Sequence, residues 1–268
     1  MTRVDEPDGR VALAGVVQRD PWIIAHRGAS KHYPENTPAA FDAALRQGSD
    51  AIELDVQLSR DGVPVVYHDR TLSRAGGGRR RVAELDLVEL RRLNAASRGG
   101  PNAPHQAIPT LEEVLGRYGG RTRLLLEIKT REGRRGAQRH RELARKTALL
   151  AERHRSGSDV MLLSYELPIL AESSRVACDL PRVLNLKPPP TLGRALKQEL
   201  RSLHALSVDV RTLTSRFAIA VRRSGCPLFV FTCNTPRRVR RALRAAAAGI
   251  MTDRPEWLAR LLGRGGGA

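Results

Sequence analysis

Ionisable residues stand at the C-terminal ends of several short apolar runs in this sequence. They are His26, Arg27, Glu53, Asp55, His68, Glu127 and Lys129. In an extended strand, side chains two residues apart point to the same face. The spacing of Glu53 and Asp55 therefore predicts two carboxylates on one side of a strand, and Glu127 and Lys129 share a side in the same way.

Three carboxylates on apolar strands are costly to bury unless a cation balances their charge. Glu53, Asp55 and Glu127 offer only oxygen atoms, and oxygen ligands favour a hard ion such as Mg²⁺ or Ca²⁺. We therefore predict that these residues bind one divalent cation, Mg²⁺ or Ca²⁺. For any one of the three taken alone, a surface or salt-bridged carboxylate would be the simpler interpretation.

Two histidines and two cationic side chains accompany the predicted metal ligands. His26 and His68 suit general acid–base catalysis, because imidazole titrates near neutral pH. Arg27 and Lys129 suit the binding and neutralisation of a phosphate group, and an arginine can do so with two parallel hydrogen bonds. This combination predicts metal-assisted hydrolysis of a phosphate ester.

Residues so far apart in sequence can act together only if strands bring them to one edge. Eight runs rich in β-branched residues or leucine predict strands: Trp22–His26, Ala51–Leu58, Arg123–Lys129, Asp159–Tyr165, Arg182–Lys187, Ala205–Val210, Leu228–Thr232 and Gly249–Thr252. Several are continuously apolar, as expected for parallel strands that are buried on both faces. Helical patterns lie between them at 37–47, 111–118, 137–155, 166–174, 191–202, 214–224, 236–247 and 255–262.

Alternation of strands and helices at this length predicts an α/β fold, a (β/α)8 TIM barrel, with a doubly wound open sheet as the alternative. Active sites of such barrels lie at the C-terminal ends of the strands, where these ionisable residues fall. Val63–His68 is too close to the preceding strand for a parallel crossover and predicts an antiparallel hairpin. Residues 70–108 then form a small insertion after the second strand. We expect one domain over 21–262, with an extension at 1–20 and a disordered tail at 263–268.

Composition limits the class of protein. The net charge is +18, almost all of it from arginine spread along the 268 residues, which is compatible with attraction to polyanions or with a GC-rich genome. Three cysteines without metal-type spacing argue against a disulfide framework. Neither a secretory signal nor an apolar run long enough to span a membrane is visible. We expect a cytoplasmic protein.

Five segments in this order resemble the glycerophosphodiester phosphodiesterase family: HRGASKHYPENT, AIELDVQLSRDGVPVVYHD, IPTLEEVL, LLLEIK and MTDRP. The resemblance spans about 22–258 and is most specific over 24–72. It implies a (β/α)8 barrel with a small insertion after the second strand. It also implies hydrolysis of glycerophosphodiesters to glycerol 3-phosphate and an alcohol.

The resemblance assigns roles that agree with those inferred from the residues themselves. The matching metal ligands are Glu53, Asp55 and Glu127, the acid–base pair is His26 and His68, Arg27 binds phosphate, and Lys129 lines the site. Glu35 matches a family glutamate and is expected to support the site, while Asn36 or Thr37 caps the first helix. Phe231 stands where related sequences often have tryptophan, so the contacts to the leaving group are expected to differ. The nucleophile is a water or a neighbouring glycerol hydroxyl, and the second route gives a cyclic phosphate.

Other functions fit the sequence less well. The same site could cleave lysophospholipids at a membrane surface, as a lysophospholipase D does, and the positive charge favours a weak peripheral association with anionic membranes. A degenerate barrel kept as a binding protein would have lost site residues, but all of them are present. No specific nucleic-acid partner is expected, since aromatic residues make up only 4% of the chain.

Overall fold

The computed structural model describes residues 20–96, 104–130, 136–154, 159–187 and 191–264. Eight parallel strands form a closed barrel, because β1 pairs with both β2 and β9. The parallel strands are β1 Trp22–His26, β2 Ala51–Leu58, β4 Arg123–Ile128, β5 Val160–Ser164, β6 Arg182–Leu186, β7 Ala205–Asp209, β8 Leu228–Phe231 and β9 Gly249–Thr252. The predicted TIM barrel is confirmed, and its strands have nearly the predicted bounds.

Helices follow the barrel strands and cover the outside of the barrel, and one further helix, α2, belongs to the insertion. They are α1 Pro38–Arg46, α2 Leu87–Arg91, α3 Leu111–Tyr118, α4 Ala137–His154, α5 Leu167–Ser174, α6 Arg194–Glu199, α7 Ser215–Arg223, α8 Pro236–Arg244 and α9 Pro255–Leu261. Thr37 caps α1 and Thr110 caps α3, and in both helices the threonine hydroxyl accepts a backbone N–H. The cap of the first helix is therefore Thr37 and not Asn36.

A hairpin and a small subdomain interrupt the alternation after β2. The strand β3, Pro64–Val66, runs antiparallel to β2, as the short connection requires. The insertion then forms two short 3₁₀ turns, Leu72–Ala75 and Val82–Glu84, followed by α2. Its buried apolar side chains form a separate small core against β3. Residues 97–103 of the insertion lie outside the described part.

Alternation along each strand separates two apolar layers. On β4, Leu124 and Leu126 face the helices, whereas Leu125 points into the barrel beside Ile24 and Phe229. This inner apolar layer stops short of the last inward-pointing residue at the C-terminal end of the strands. The next inward position on each strand is therefore open to polar side chains above this apolar floor.

The two ends of the chain are only partly described. Of the predicted extension, 1–20, only Asp20 is described. Residues 265–268 of the predicted tail also lie outside the described ranges. Arg264 is described, and it ion-pairs with Asp50 and donates a hydrogen bond to the carbonyl of Pro21. Within the described ranges, no helix is long and apolar enough to cross a membrane.

Candidate active site

The three predicted metal ligands meet inside the C-terminal end of the barrel. Glu53 and Asp55 on β2 and Glu127 on β4 take the inward positions above the apolar floor, because their outward neighbours pack against the helices. Their exposed fractions are 1%, 1% and 8%. One carboxylate oxygen of each lies within 4.8 Å of those of the other two. The strand spacing thus produces a compact, buried acidic cluster.

Two cations of the chain balance part of this negative charge. Lys129 Nζ lies 2.6 Å from Asp55 Oδ1 and also donates to Glu127 Oε1, and Arg27 Nε lies 3.1 Å from Asp55 Oδ2. Although burial works to raise the pKa of Asp55, the charges of Lys129 and Arg27 outweigh it and lower that pKa. Burial and the neighbouring Asp55 raise the pKa of Glu53 to about 8. Lys129 and Arg27 therefore do not balance the negative charge that Glu53 would add to the cluster.

The donor set fits a divalent cation. All three residues offer oxygen, which is the donor that hard divalent ions prefer. Among the described residues, none gives the buried Asp55 Oδ1 a hydrogen bond of normal geometry, although Lys129 is close to it. A divalent ion would supply the positive charge that Glu53 lacks, and it would compete with Lys129 for Asp55 and Glu127.

The loop between β1 and α1 holds Asp55 from the other side. Asn36 Nδ2 donates to Asp55 Oδ2 at 2.8 Å, and Asn36 Oδ1 accepts the backbone N–H of Asp55 at 3.2 Å. Both Asn36 and Arg27 have left-handed backbones, with φ of 58° and 57°. Asn36 therefore positions a predicted metal ligand. The sequence had suggested only that Asn36 could cap the first helix.

His26 is oriented by a carboxylate from the last strand connection. Its Nδ1 lies 2.6 Å from Asp253 Oδ1, and because an ionised carboxylate only accepts, Nδ1 carries the proton. Asp253 is itself held by Asn234, which donates through Nδ2 and accepts the backbone N–H of Asp253. Burial works to lower the pKa of His26, but Asp253 and the charge of Glu53 outweigh it, so the pKa is raised.

The surroundings of His68 shift its pKa in the opposite direction. Its Nδ1 lies 2.9 Å from Asp69 Oδ1. Burial lowers the pKa of His68, the charge of Asp55 opposes this, and the charges of Arg27 and Lys129 lower the pKa further. The two histidines therefore face one cleft with pKa values shifted in opposite directions.

Glu35 joins the barrel to the insertion. It accepts from Arg27 Nη1 at 3.2 Å and from Arg74 of the insertion, and it lies 4.0 Å from His68 Nδ1. Arg74 also binds both carboxylate oxygens of Asp69. Oxygen and nitrogen atoms of Glu35, His68 and Asp69 lie close enough to hold a cation. Arg74 already balances both carboxylates there, so we assign no second metal site.

A cleft of about 450 Å³ opens above the acidic cluster. His26, Arg27, His68, Glu127 and Lys129 line one side of it, and Phe231 lines another. The structure thus places every predicted residue in or directly beside one cleft. The cleft also contains residues that the sequence analysis did not single out: Tyr165, Asn185, Lys187, Asp209 and Arg211.

The residues that the sequence analysis missed also stand at the C-terminal ends of barrel strands, as the predicted residues do. Asn185 on β6 donates to Glu127 Oε2 at 3.3 Å, and Tyr165, Asp209 and Asp253 stand at the ends of β5, β7 and β9. Applying the strand-end rule to the second half of the barrel would have found them. Arg74 gave no comparable signal, because its position depends on the fold of the insertion.

The fold and the cleft define an α/β-barrel hydrolase of phosphodiesters. The chain belongs to the glycerophosphoryl diester phosphodiesterase family, whose model matches residues 26–257. The resemblance stated from the sequence is thereby confirmed.

Relatives and solved structures match over most of the chain. A glycerophosphodiester phosphodiesterase of Caldanaerobacter subterraneus is 33% identical over 91% of this chain and 98% of its own. The structure of an Oleispira antarctica phosphodiesterase in complex with the product sn-glycerol-3-phosphate is 26% identical, with a TM-score of 0.79 over 91% of this chain and 97% of that chain. A glycerophosphodiester phosphodiesterase of Agrobacterium tumefaciens is 26% identical, with a TM-score of 0.74 over 90% and 99% of the two chains.

Proposed function

We propose that this protein hydrolyses glycerophosphodiesters to glycerol 3-phosphate and an alcohol, with one divalent cation held by Glu53, Asp55 and Glu127. Family membership and the product named for the Oleispira structure support the substrate class. The observation that carries the proposal is the buried cluster of three carboxylates, with two histidines of opposite pKa shift on the same cleft.

The cations of the chain bind and neutralise the phosphate. When bound, Mg²⁺ or Ca²⁺ supplies a Lewis acid for a phosphate oxygen. Arg27 and Lys129 face the same cleft and stabilise the charge that builds on the remaining phosphate oxygens. Glu35 and Asp55 fix the guanidinium of Arg27 through ion pairs, so the arginine is oriented before substrate binds.

The histidines divide the proton transfers. His68, with its lowered pKa, starts neutral and removes the proton of the nucleophile. His26, with its raised pKa, starts protonated and donates from Nε2 to the leaving alcohol, while Asp253 stabilises the imidazolium through Nδ1. The nucleophile is a water or the neighbouring glycerol hydroxyl, and the two routes differ in whether a cyclic phosphate accumulates.

The test is product analysis by phosphorus NMR with glycerophosphocholine, glycerophosphoethanolamine and a lysophospholipid. We expect glycerol 3-phosphate from the first two substrates, and a transient cyclic phosphate if the glycerol hydroxyl attacks. Release of the headgroup from the lysophospholipid alone would replace the proposal with a lysophospholipase D activity. A protein that cleaves none of the three would contradict the hydrolase proposal.

A further inference from the structure

The positive charge is not evenly distributed. Between Asp209 and Asp253 the sequence contains nine arginines and no acidic residue. The structure places most of them on two consecutive helices, α7 and α8, which flank β8 on the outside of the barrel. Arg241 of α8 donates to the carbonyl of Leu213, just before α7, so the two helices lie side by side.

Each helix presents one exposed arginine stripe. On α7 the exposed cations are Arg216, Arg222 and Arg223, while Phe217, Ala218 and Val221 face the core. On α8 the exposed positions are Arg237, Arg240, Arg241 and Arg244, at the spacing of one helical face, while Val239 and Ala242 are buried. We call these seven arginines the α7–α8 surface.

Several described arginines elsewhere on the protein are paired with acids. Arg60 pairs with Asp86 and Glu89, Arg117 with Asp42, and Arg145 with Glu172. On the α7–α8 surface, by contrast, Arg241 binds a backbone carbonyl, and the other six arginines form no ion pair with any described residue. What distinguishes these two helices is a dense group of exposed arginines with no acidic residue among them.

One exposed apolar side chain lies within the arginine stripe of α7. Ile219 is 43% exposed, and Arg216, Arg222 and Arg223 are its neighbours at the helical spacings of three and four residues. Together these side chains offer positive charge and one apolar group to an anionic lipid surface. Neither helix exposes an aromatic ring on which a nucleic-acid base could stack.

We propose that the α7–α8 surface docks this protein on an anionic lipid membrane. The arginines contact the lipid phosphates, and Ile219 enters the boundary between headgroups and acyl chains. The surface lies on the flank of the barrel, whereas the cleft lies at its C-terminal end, so docking leaves the cleft open. The proposal goes beyond the reaction and does not depend on which phosphodiester is cleaved.

The test is co-sedimentation of the full chain with vesicles of phosphatidylcholine, alone or mixed with phosphatidylglycerol. We expect binding only to the mixed vesicles, weakening as salt rises. The combined variant Arg237→Gln, Arg240→Gln and Arg244→Gln should bind roughly 100-fold more weakly, because each cation near the surface contributes comparably. Its turnover of a water-soluble substrate should be unchanged, which separates a docking failure from a catalytic one.

A matched variant controls for net charge. Arg92→Gln, Arg141→Gln and Arg153→Gln remove three exposed arginines from other faces and should leave vesicle binding nearly intact. Equal loss in both triple variants would reduce the effect to net charge and overturn the α7–α8 surface as a site. Failure of the natural chain to bind mixed vesicles would also overturn the proposal, and binding to duplex DNA in its place would assign the surface to nucleic acid.

A second pair of variants tests the apolar contact. Ile219→Ser should weaken binding to mixed vesicles several-fold, since it removes the aliphatic side chain at the centre of the stripe. Leu149→Ser on α4 is the control, because Leu149 is 45% exposed and lies away from the surface. If both serine variants bind as the natural chain does, the apolar part of the proposal is wrong.

Discussion

At the scale of single residues, the two histidines of the cleft differ in the groups around them. His26 is partly buried, which works to lower its pKa, yet the pKa is raised, because Asp253 binds its Nδ1 and Glu53 adds negative charge. The pKa of His68 is lowered, because burial and the charges of Arg27 and Lys129 outweigh the charge of Asp55. Two identical side chains thus have pKa values shifted in opposite directions, as suits an acid–base pair.

We predict that Asp253→Asn shifts the pH profile of turnover. His26 must be protonated to act as the acid, so activity falls as pH rises through its pKa. Without the carboxylate that raises this pKa, the fall should begin at lower pH. The check is the pH dependence of kcat for the natural chain and the variant.

Asp209→Asn is the control, because Asp209 lines the same cleft but is bound by Arg211 rather than by a histidine. An unchanged alkaline limb in Asp253→Asn, or an equal shift in the control, would mean that His26 is not the acid.

At the scale of elements, the turn from β1 into α1 depends on one glycine. Gly28 has a φ of 82°, and a Cβ there would lie 2.6 Å from the backbone carbon of Ala40 on α1. Any side chain would push α1 away from the loop that positions Arg27 and Asn36. The close approach of helix and loop explains why glycine stands between the histidine strand and its helix.

We predict that Gly28→Ala destabilises the protein by about 2 kcal/mol or more, through both steric overlap and left-handed strain. Gly48→Ala is the matched comparison, because Gly48 has a φ of 74° but nothing within 4 Å of an added Cβ. It should cost only about 1 kcal/mol, from backbone strain alone. Urea unfolding of both variants checks this, and equal losses would refute the steric part.

Among the described residues of the insertion, Arg74 forms ion pairs with the site. Arg74 binds Asp69, the partner of His68, and Glu35, the partner of Arg27. We predict that Arg74→Met lowers kcat/KM by about tenfold or more, because Asp69 loses its arginine and Glu35 keeps only Arg27. Arg79→Met, at an exposed position of the same insertion, should have little effect. Steady-state kinetics with folded protein would distinguish them, and normal activity of Arg74→Met would exclude the coupling.

At the scale of the whole molecule, the sequence predicted the barrel because its signals are local. Three such signals can be recognised without knowledge of tertiary structure: continuous apolar strands, threonine caps and a connection too short for a crossover. The carboxylates of β2 and β4 were found because period-two spacing and the strand-end rule both apply to them. Asp253 was overlooked although the strand-end rule applies to it. The contacts of Asn36 with Asp55 and of Arg74 with Glu35 could not be predicted, because they join segments distant in sequence.

Because the predicted metal ligands come from two barrel strands, cation binding should stabilise the entire fold. At a cation concentration about 100-fold above Kd, linkage gives about 2.7 kcal/mol, or a rise in Tm of roughly 5–10 °C for a chain of this size. Differential scanning fluorimetry with Mg²⁺ and with Ca²⁺ measures this. Glu53→Gln should abolish the shift, whereas Glu112→Gln, at an exposed helical position, should keep it.

The most direct test of the central claim is glycerol 3-phosphate release from glycerophosphocholine by EDTA-treated protein, before and after Mg²⁺ or Ca²⁺ is restored. We predict no release without the cation, recovery with one of them, and no recovery in Glu127→Gln at the same concentration. Undiminished release in EDTA, or full activity of the Glu127→Gln variant, would contradict a metal-assisted reaction at this carboxylate cluster.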